Sequence, residues 1–211
     1  MKIKVCGMRN AENLRRISAL DIDYVGFIFY RGSSRCVSEN EDAAEMIRRC
    51  ERHKVGVFVN ETAANMLARA ETYRLNSLQL HGEESPGTCI ALREAGYGVI
   101  KAFPVAQADD FVKTEDYAAC TDFFLFDTRC AGYGGSGLRF DWSLLDSYQG
   151  RTPFLLSGGL TPGSIHDLLL LKHPQFAGID LNSGFETSPA VKDVDKLKDF
   201  IHRIRNAVAV K

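Results

Sequence analysis

The sequence of 211 residues predicts an α/β fold, a single-domain (β/α)8 TIM barrel that spans residues 1–211, and three observations support this prediction. Short apolar runs alternate with longer amphipathic stretches from one end of the chain to the other. Eight such units can be counted, and eight strands favour closure of a parallel sheet into a barrel. No linker rich in Pro or Ser divides the chain, so a single domain accounts for it.

The predicted strands are short runs of apolar and β-branched residues. In KIKVC (2–6) and SLQLH (77–81), apolar and polar residues alternate, so each strand has one apolar side and one polar side. Because the outer sides of barrel strands pack on helices, we expect the polar sides to face the inside of the barrel. The eight strands are IKVC (3–6), YVGFIF (24–29), VGVFV (55–59), SLQLH (77–81), GVIKA (98–102), DFFLFD (122–127), PFLLS (153–157) and AGIDLN (177–182).

Between the strands, apolar residues recur at helical spacing. Eight helices are expected, one after each strand. The clearest patterns are NAENLRRISAL, EDAAEMIRRC, TAANMLARA, PGTCIALREA, SIHDLLLL and VDKLKDFIHRIRNAVA.

Composition excludes several classes of partner. The 26 basic and 27 acidic residues nearly cancel, so no overall basic field indicates a nucleic-acid partner. The segment MKIKVCGMRN lacks the apolar core of a signal peptide, and no apolar run approaches the roughly 18 residues of a membrane helix. The six cysteines include no C-x-x-C pair, which fits a reducing compartment and favours neither a zinc site nor a disulfide framework. We therefore expect a cytoplasmic protein with no membrane partner.

In a (β/α)8 barrel, the carboxyl ends of the strands meet at one mouth, where such enzymes hold their active sites. Cys6 could act there as a nucleophile or a base, although a small buried cysteine is the structural alternative. Asp127 could act as an acid if its pKa were raised, or it could simply hold the following loop by hydrogen bonds. The strand ends together carry Cys6, His81, Lys101, Asp127, Ser157, Asp180 and Asn182.

Four residues are candidates for substrate binding: Arg35, His81, Asp180 and, in the connection after the sixth strand, Gly135. Arg35 lies in a Gly- and Ser-containing loop after the second strand, where its forked guanidinium could bind a carboxylate or remain solvated. His81 and Asp180 are interpreted from the residues alone mainly as groups that hold their neighbours by buried hydrogen bonds. We include both as candidates because they end strands at the mouth.

Two glycine-bearing loops follow the seventh and eighth strands. They are SGGLTPGS (157–164) and NSGFE (182–186), and loops at these positions of a barrel often bind phosphate through backbone N–H groups. Glycine also permits tight turns without any ligand, which is the alternative for each loop. The candidate phosphate-binding residues are Gly158, Gly159, Ser183 and Gly184.

The segment DTRCAGYGGSGLRFDW (127–142) contains glycines in the order G-x-G-x-x-G. This match to a dinucleotide-binding motif fails on position, because four residues separate the strand from the first glycine. A long connection that begins beside a carboxylate is typical of active-site lids. We predict a lid over residues 128–137, with Gly135 near the substrate; a plain surface loop is the alternative.

The ordered motifs resemble the phosphoribosylanthranilate isomerase family of tryptophan biosynthesis. The resemblance implies an Amadori rearrangement of N-(5-phosphoribosyl)anthranilate, with Cys6 as the general base, Asp127 as the general acid and Arg35 bound to the anthranilate carboxylate. It implies a phosphorylated small-molecule substrate, no metal, no organic cofactor, and a monomer or homodimer. The motifs are KVCG (4–7), DYVGFIFYRGSSRCVS (23–38), KVGVFVNE (54–61), LQLHGEES (78–85), FLFDT with GGSGLRFDW, LLSGGLTP (155–162) and IDLNSGFET (179–187).

Some positions depart from the family pattern. Met8 and Arg9 replace the more usual aliphatic residue and threonine, Cys36 stands where an aromatic residue is expected, and Asn182 stands where serine is common. Two other functions remain open. Another sugar-phosphate barrel enzyme would need metal-binding side chains, or paired lysine and glutamates, at the strand ends. A barrel that only binds a phosphorylated ligand would not depend on Cys6 or Asp127.

Overall fold

A computed structural model describes residues 1–128 and 140–209 and shows eight parallel strands that close into a barrel in chain order, which confirms the predicted fold class. Each predicted run lies within two or three residues of an observed strand. The strands are β1 (Lys2–Val5), β2 (Tyr24–Ile28), β3 (His53–Phe58), β4 (Ser77–Leu80), β5 (Gly98–Val105), β6 (Phe123–Thr128), β7 (Phe154–Leu156) and β8 (Phe176–Leu181).

The barrel closes where β1 pairs with β8, and Lys4 lies opposite Asp180 in that register. The outer sides of the strands contribute residues such as Ile3 and Leu78 to a large core shared with helix residues. A smaller cluster of Val55, Ile100, Ala102, Leu125 and Leu155 fills part of the interior. Lys4 and Asp180 are buried on the inner side, as the alternation in KIKVC predicts, so the interior is partly apolar and partly charged.

The described residues form six α-helices: α1 (Ala11–Ser18), α2 (Glu41–Arg48), α3 (Ala63–Tyr73), α4 (Pro86–Glu94), α5 (Ile165–Leu170) and α6 (Val194–Ala209). The first four begin where a side-chain oxygen of Asn10, Asn40, Thr62 or Ser85 accepts a hydrogen bond from a backbone N–H of the first turn. None of the helices in this part of the chain is both long enough and apolar enough to cross a membrane.

The prediction of eight helices is wrong after β5 and β6. There the structure has 3-10 helices, at Ala108–Tyr117 and Trp142–Ser147. In the first, the Asp110 carboxylate accepts hydrogen bonds from the N–H groups of Ala106 and Gln107, and the Thr114 hydroxyl donates to the Phe111 carbonyl. Such local side-chain bonds compete with α-helical hydrogen bonds and favour tighter turns.

A small hairpin that the sequence did not predict follows β8. A 3-10 turn at Ser183–Phe185 leads into β9 (Glu186–Ser188), which pairs in antiparallel fashion with β10 (Val191–Lys192). Asn13 of α1 fastens the hairpin, because its side chain exchanges two hydrogen bonds of 2.8 Å with the backbone of Lys192. The hairpin therefore holds Glu186 and Lys192 beside the carboxyl ends of the strands.

Candidate active site

Cys6 follows β1 directly and is almost fully buried. Its backbone N–H donates to the Leu181 carbonyl at 2.9 Å, which continues the β1–β8 pairing up to the mouth. Lys4 lies two residues earlier on the same inner side of the strand, and its Nζ is 2.9 Å from Oδ2 of Asp180. The Cys6 thiol, the Lys4 ammonium group and the Asp180 carboxylate therefore lie together in a buried part of the barrel interior.

The charged groups around Cys6 shift the pKa of its thiol in opposite directions. Burial raises the pKa of the Cys6 thiol above its ordinary value, and the positive charge of Lys4 works against that rise. The Asp180 charge adds to the rise, whereas Lys192 opposes it. The net pKa remains raised, so the thiolate is a minor form at neutral pH and depends on the two lysines for its stability.

Asp180 has one engaged oxygen and one without a partner. Burial raises the pKa of this carboxyl, although the Lys4 charge and hydrogen bond oppose the rise. Its Oδ1 is buried, and no group in the described part of the chain forms a hydrogen bond with it. A buried acceptor without a donor is costly, so this oxygen is available to a hydroxyl group of a ligand.

Asp127 lies near the end of β6, and its carboxylate is held at both oxygens. Oδ1 accepts a hydrogen bond of 2.9 Å from the Thr128 N–H, and Oδ2 lies 3.4 Å from Nε2 of His81. The amide nitrogen of Gln79 lies 3.1 Å from Nδ1 of His81. Because an amide nitrogen can only donate, Nδ1 accepts, and a neutral His81 carries its proton on Nε2, toward Asp127.

Arg35 is not a free guanidinium. Its Nε lies 2.9 Å from Oε1 and 3.1 Å from Oε2 of Glu186, and its Nη2 lies 2.7 Å from Oε2. Lys192 donates to the same carboxylate at 2.6 Å and to Oδ1 of Asn182 at 2.7 Å. Sequence reasoning missed Glu186 and Lys192 as site residues, because their position depends on the hairpin that no pattern indicated.

The two glycine-bearing loops lie against each other. A Cβ atom on Gly184 would fall 3.1 Å from the carbonyl carbon of Leu160, so the loop after β8 touches the loop after β7 at a glycine. Gly158 and Gly159 have φ angles of +82° and +63°. The backbone N–H groups of Gly158, Gly159, Ser183 and Gly184 form no hydrogen bond with another described residue. Free backbone N–H groups in two contacting loops are suited to binding an anion.

Not every residue predicted at a strand end lies at the mouth. Lys101 does not reach the mouth, because β5 continues to Val105 and the Lys101 ammonium donates to the carbonyls of Leu80, Gly82 and Ala102.

Gly135 and the predicted lid beyond Thr128 lie outside the described residues. The hydroxyl of Thr128 accepts the N–H of Phe140 at 3.0 Å, so the two ends of that connection are joined. In the part of the chain that the structure describes, no cluster of three or more His, Cys, Asp or Glu side chains could hold a metal ion.

A closed eight-stranded barrel with a thiol, two carboxylates, an arginine and two contacting loops at the carboxyl ends of its strands defines a (β/α)8-barrel enzyme. Comparison with known proteins narrows the class. A family model described as N-(5'phosphoribosyl)anthranilate (PRA) isomerase matches residues 3–203. The chain belongs to this family and is an intramolecular isomerase.

Individual relatives match this chain along nearly its whole length. The N-(5'-phosphoribosyl)anthranilate isomerase of Parabacteroides distasonis is 55% identical over 206 residues, which cover 97% of this chain and 93% of the relative. The phosphoribosyl anthranilate isomerase structure from Thermus thermophilus has a TM-score of 0.84 at 29% identity, covering 98% of this chain and 99% of that one. A phosphoribosyl anthranilate isomerase in complex with reduced 1-(o-carboxyphenylamino)-1-deoxyribulose 5-phosphate has a TM-score of 0.79 at 33% identity, with the same coverage.

Proposed function

We propose that this chain converts N-(5-phosphoribosyl)anthranilate into 1-(2-carboxyphenylamino)-1-deoxyribulose 5-phosphate by an Amadori rearrangement. The observation that carries the proposal is the mouth itself, where Cys6, Asp127 and the four free backbone N–H groups are arranged around the ends of β1, β6, β7 and β8. Family membership supports the same reaction. The roles of Cys6, Asp127 and Arg35 are those that the resemblance to the family implies, and the positions of the three side chains at the mouth support them.

Asp127 is proposed as the general acid. Its proton passes to the furanose ring oxygen while the lone pair of the anilino nitrogen forms a C=N bond to C1 and the C1–O bond breaks. The Thr128 N–H and His81 Nε2 lie against the carboxylate, so they orient the group and stabilise the anion that the transfer leaves. The open-chain intermediate then carries a positive charge on nitrogen.

Cys6 is proposed as the general base. The charged C=N bond makes the neighbouring C2 proton acidic, so a thiolate is basic enough to remove it and give an enolamine. The Cys6 thiol then gives its proton to C1, and the C2 hydroxyl proton passes through water to the Asp127 carboxylate, which yields the ketone and restores both groups. The Lys4 ammonium beside the thiol stabilises the thiolate that this step needs, against the effect of burial.

The remaining groups at the mouth are proposed to bind the substrate. The N–H groups of the two glycine-bearing loops are proposed to hold the phosphate, and the unpartnered Oδ1 of Asp180 is proposed to accept from a sugar hydroxyl. Arg35 is proposed to bind the anthranilate carboxylate. We assign Gly135 to the substrate side of the connection after β6, as a prediction from the sequence.

We also propose a cytoplasmic location, because five of the cysteines are free thiols in the described residues, which fits a reducing compartment. The assembly is proposed to be a monomer or a homodimer. One solved relative at 33% identity consists of monomers of the dimeric enzyme from Thermotoga maritima. Light scattering on the purified protein distinguishes the two states.

The test is turnover of freshly generated substrate by EDTA-treated protein, followed by the loss of substrate fluorescence. Cys6→Ala and Asp127→Asn are measured alongside the parent. Activity that survives EDTA and falls by about 10²-fold or more in both variants supports the acid and base roles. A folded parent protein without turnover would contradict the proposal, and full activity in either variant would remove that residue from the mechanism.

A further inference from the structure

We propose that Glu186 is a positioning residue that turns one edge of the Arg35 guanidinium toward the substrate carboxylate and thereby sets affinity for the anthranilate group. This inference rests on the proposed function of Arg35. It concerns a carboxylate which itself touches no reacting atom and which lies on the hairpin after β8, 151 positions from Arg35 in the chain.

The geometry decides which edge of the guanidinium is free. A guanidinium has five N–H donors, and Glu186 takes the edge formed by Nε and Nη2. Nη1 of Arg35 has no acceptor among the described residues, so the edge formed by Nη1 and Nη2 still presents two parallel N–H groups. That edge can bind a second carboxylate with two hydrogen bonds, which is the arrangement that arginine makes best.

Glu186 is anchored independently of Arg35. Lys192 donates to Oε1 at 2.6 Å, and the backbone N–H of Ala190 donates to the same oxygen at 3.1 Å. Burial opposes ionisation of Glu186, but the hydrogen bond from Arg35 and the charge of Lys192 outweigh it and lower the pKa of this carboxyl. The carboxylate is therefore fixed and ionised at neutral pH.

The net charge around Arg35 also favours a positioning role for Glu186. The cluster of Arg35, Glu186 and Lys192 contains two cations and one anion, so it retains one positive charge. The side chains of Arg35 and Glu186 are only 14% and 6% exposed, and Lys192 is buried, so water screens this charge weakly. A bound substrate carboxylate brings the cluster to neutrality.

The opposite hypothesis is that Glu186 competes with the substrate for Arg35 and must be displaced. The two hypotheses predict opposite signs for Glu186→Gln. Competition predicts tighter binding once the charge is removed. Positioning predicts weaker binding, because the amide leaves Arg35 and Lys192 without their shared anion and frees the guanidinium to rotate.

The experiment compares steady-state kinetics of the parent protein and Glu186→Gln. We expect KM to rise about 10-fold with kcat within about 2-fold, the pattern of lost ground-state binding. The control is Glu12→Gln, which removes a similar two-bond pair with Arg15 (2.7 and 2.9 Å) on the exposed surface of α1. That variant is expected to match the parent in KM and kcat.

A second measurement separates positioning from a general loss of structure. Calorimetry compares binding of reduced 1-(o-carboxyphenylamino)-1-deoxyribulose 5-phosphate with binding of the same compound lacking the ring carboxylate. Glu186→Gln is expected to weaken the first ligand about 10-fold and to leave the second unchanged. Equal losses for both ligands, or tighter binding of the first, would overturn the inference. Because calorimetry needs no turnover, it decides the role of Glu186 even if the proposed reaction fails.

Discussion

Lys4 and Asp180 form an ion pair of 2.9 Å across the seam where β1 meets β8, between residues 176 positions apart. Neither side chain is more than 6% exposed. Burying two charges is expensive, and a pair of hydrophobic residues would often be at least as stable. We therefore infer that the pair serves the active site rather than stability, because it holds a cation beside the Cys6 thiol in an interior where charges interact strongly.

The first prediction concerns that cation. Lys4→Met is expected to raise the pKa of the Cys6 thiol further, because a charge that favours the thiolate is removed while burial and Asp180 remain. Alkylation of Cys6 by iodoacetamide, followed by peptide mass spectrometry, rises with pH as the thiolate forms. We expect its pH profile to move to higher pH. The profile also reflects Lys192 and Arg35, which remain in the variant.

The control for this prediction is Lys54→Met, since Lys54 is also buried but donates to the Cys50 carbonyl. Its alkylation profile should match the parent. Because Lys4→Met leaves Asp180 without its partner, the double variant Lys4→Met/Asp180→Asn is measured as well. An unchanged profile in both Lys4 variants would show that Lys4 does not stabilise the thiolate.

The second prediction concerns Gly7, which follows Cys6 with a φ angle of +77°. A Cβ atom there would fall 2.8 Å from Cδ of Arg35 and 2.9 Å from Oδ1 of Asn182. Gly7→Ala should raise KM several-fold, because Arg35 must shift, and should lower the free energy of unfolding by about 1–3 kcal/mol. Gly96→Ala is the matched control: its φ angle is +90° but no atom lies within 4 Å of the new methyl group. It should lose stability with no change in KM.

The third prediction concerns pH and stability at the opposite end of the barrel. Asp23 accepts hydrogen bonds from the Ile3 N–H, from Lys2 and from Arg205 of α6. Burial opposes its ionisation, but these donors outweigh burial and lower its pKa below the ordinary 3.8. A lowered acid pKa contributes stability that is fully present above the unfolded-state pKa and is lost as the pH falls through the folded-state pKa.

Asp23→Asn is therefore expected to unfold in less urea than the parent at pH 7, by about 1–2 kcal/mol in the free energy of unfolding. The difference should shrink below about pH 4, because the unfolded parent takes up a proton there and the folded parent does so only at lower pH. A constant difference between pH 7 and pH 3 would show that the charge of Asp23 is not responsible.

The fourth prediction concerns Tyr148, whose ring packs among Phe111, Phe126 and Phe154. Its hydroxyl donates to the Thr152 carbonyl at 2.8 Å in a buried setting. Tyr148→Phe leaves that carbonyl unsatisfied and should cost about 1–2 kcal/mol in thermal or urea unfolding, with turnover unchanged. Tyr97→Phe, at a partly exposed tyrosine, is the control and should unfold like the parent. Equal unfolding of both variants would show that the Thr152 bond contributes little.

The parts of the fold that could be predicted depend on local pattern. Alternation in SLQLH predicts which side of β4 faces inward. His81 reaches Asp127 from that side, and Gln79 lies against the other ring nitrogen of His81. The same alternation puts Lys101 on the outer side of β5, so the expectation that it ends a strand at the mouth is wrong. Ile100 and Ala102 fill the interior, so the residue between them faces outward, toward the rings of Phe103 and Tyr117.

Most of the site could be predicted because strand ends, or the loops that follow them, mark it. Cys6 and Asp180 end adjacent strands, so topology alone brings them together. Glu186 and Lys192 follow no periodic pattern, and their hairpin is held beside Arg35 by distant residues such as Asn13 of the first helix. Contacts between residues so far apart in the chain depend on tertiary packing, which no local window of sequence contains.

The distance along the chain between partners also bears on how the protein folds. The pairs Lys4 with Asp180, Asn13 with Lys192 and Arg35 with Glu186 span 176, 179 and 151 positions. Each can form only after the intervening units have assembled, and closing such long loops is slow. During refolding from denaturant, helical circular dichroism should recover before affinity for the substrate carboxylate. The return of that affinity would report the moment at which the last strand joins the first.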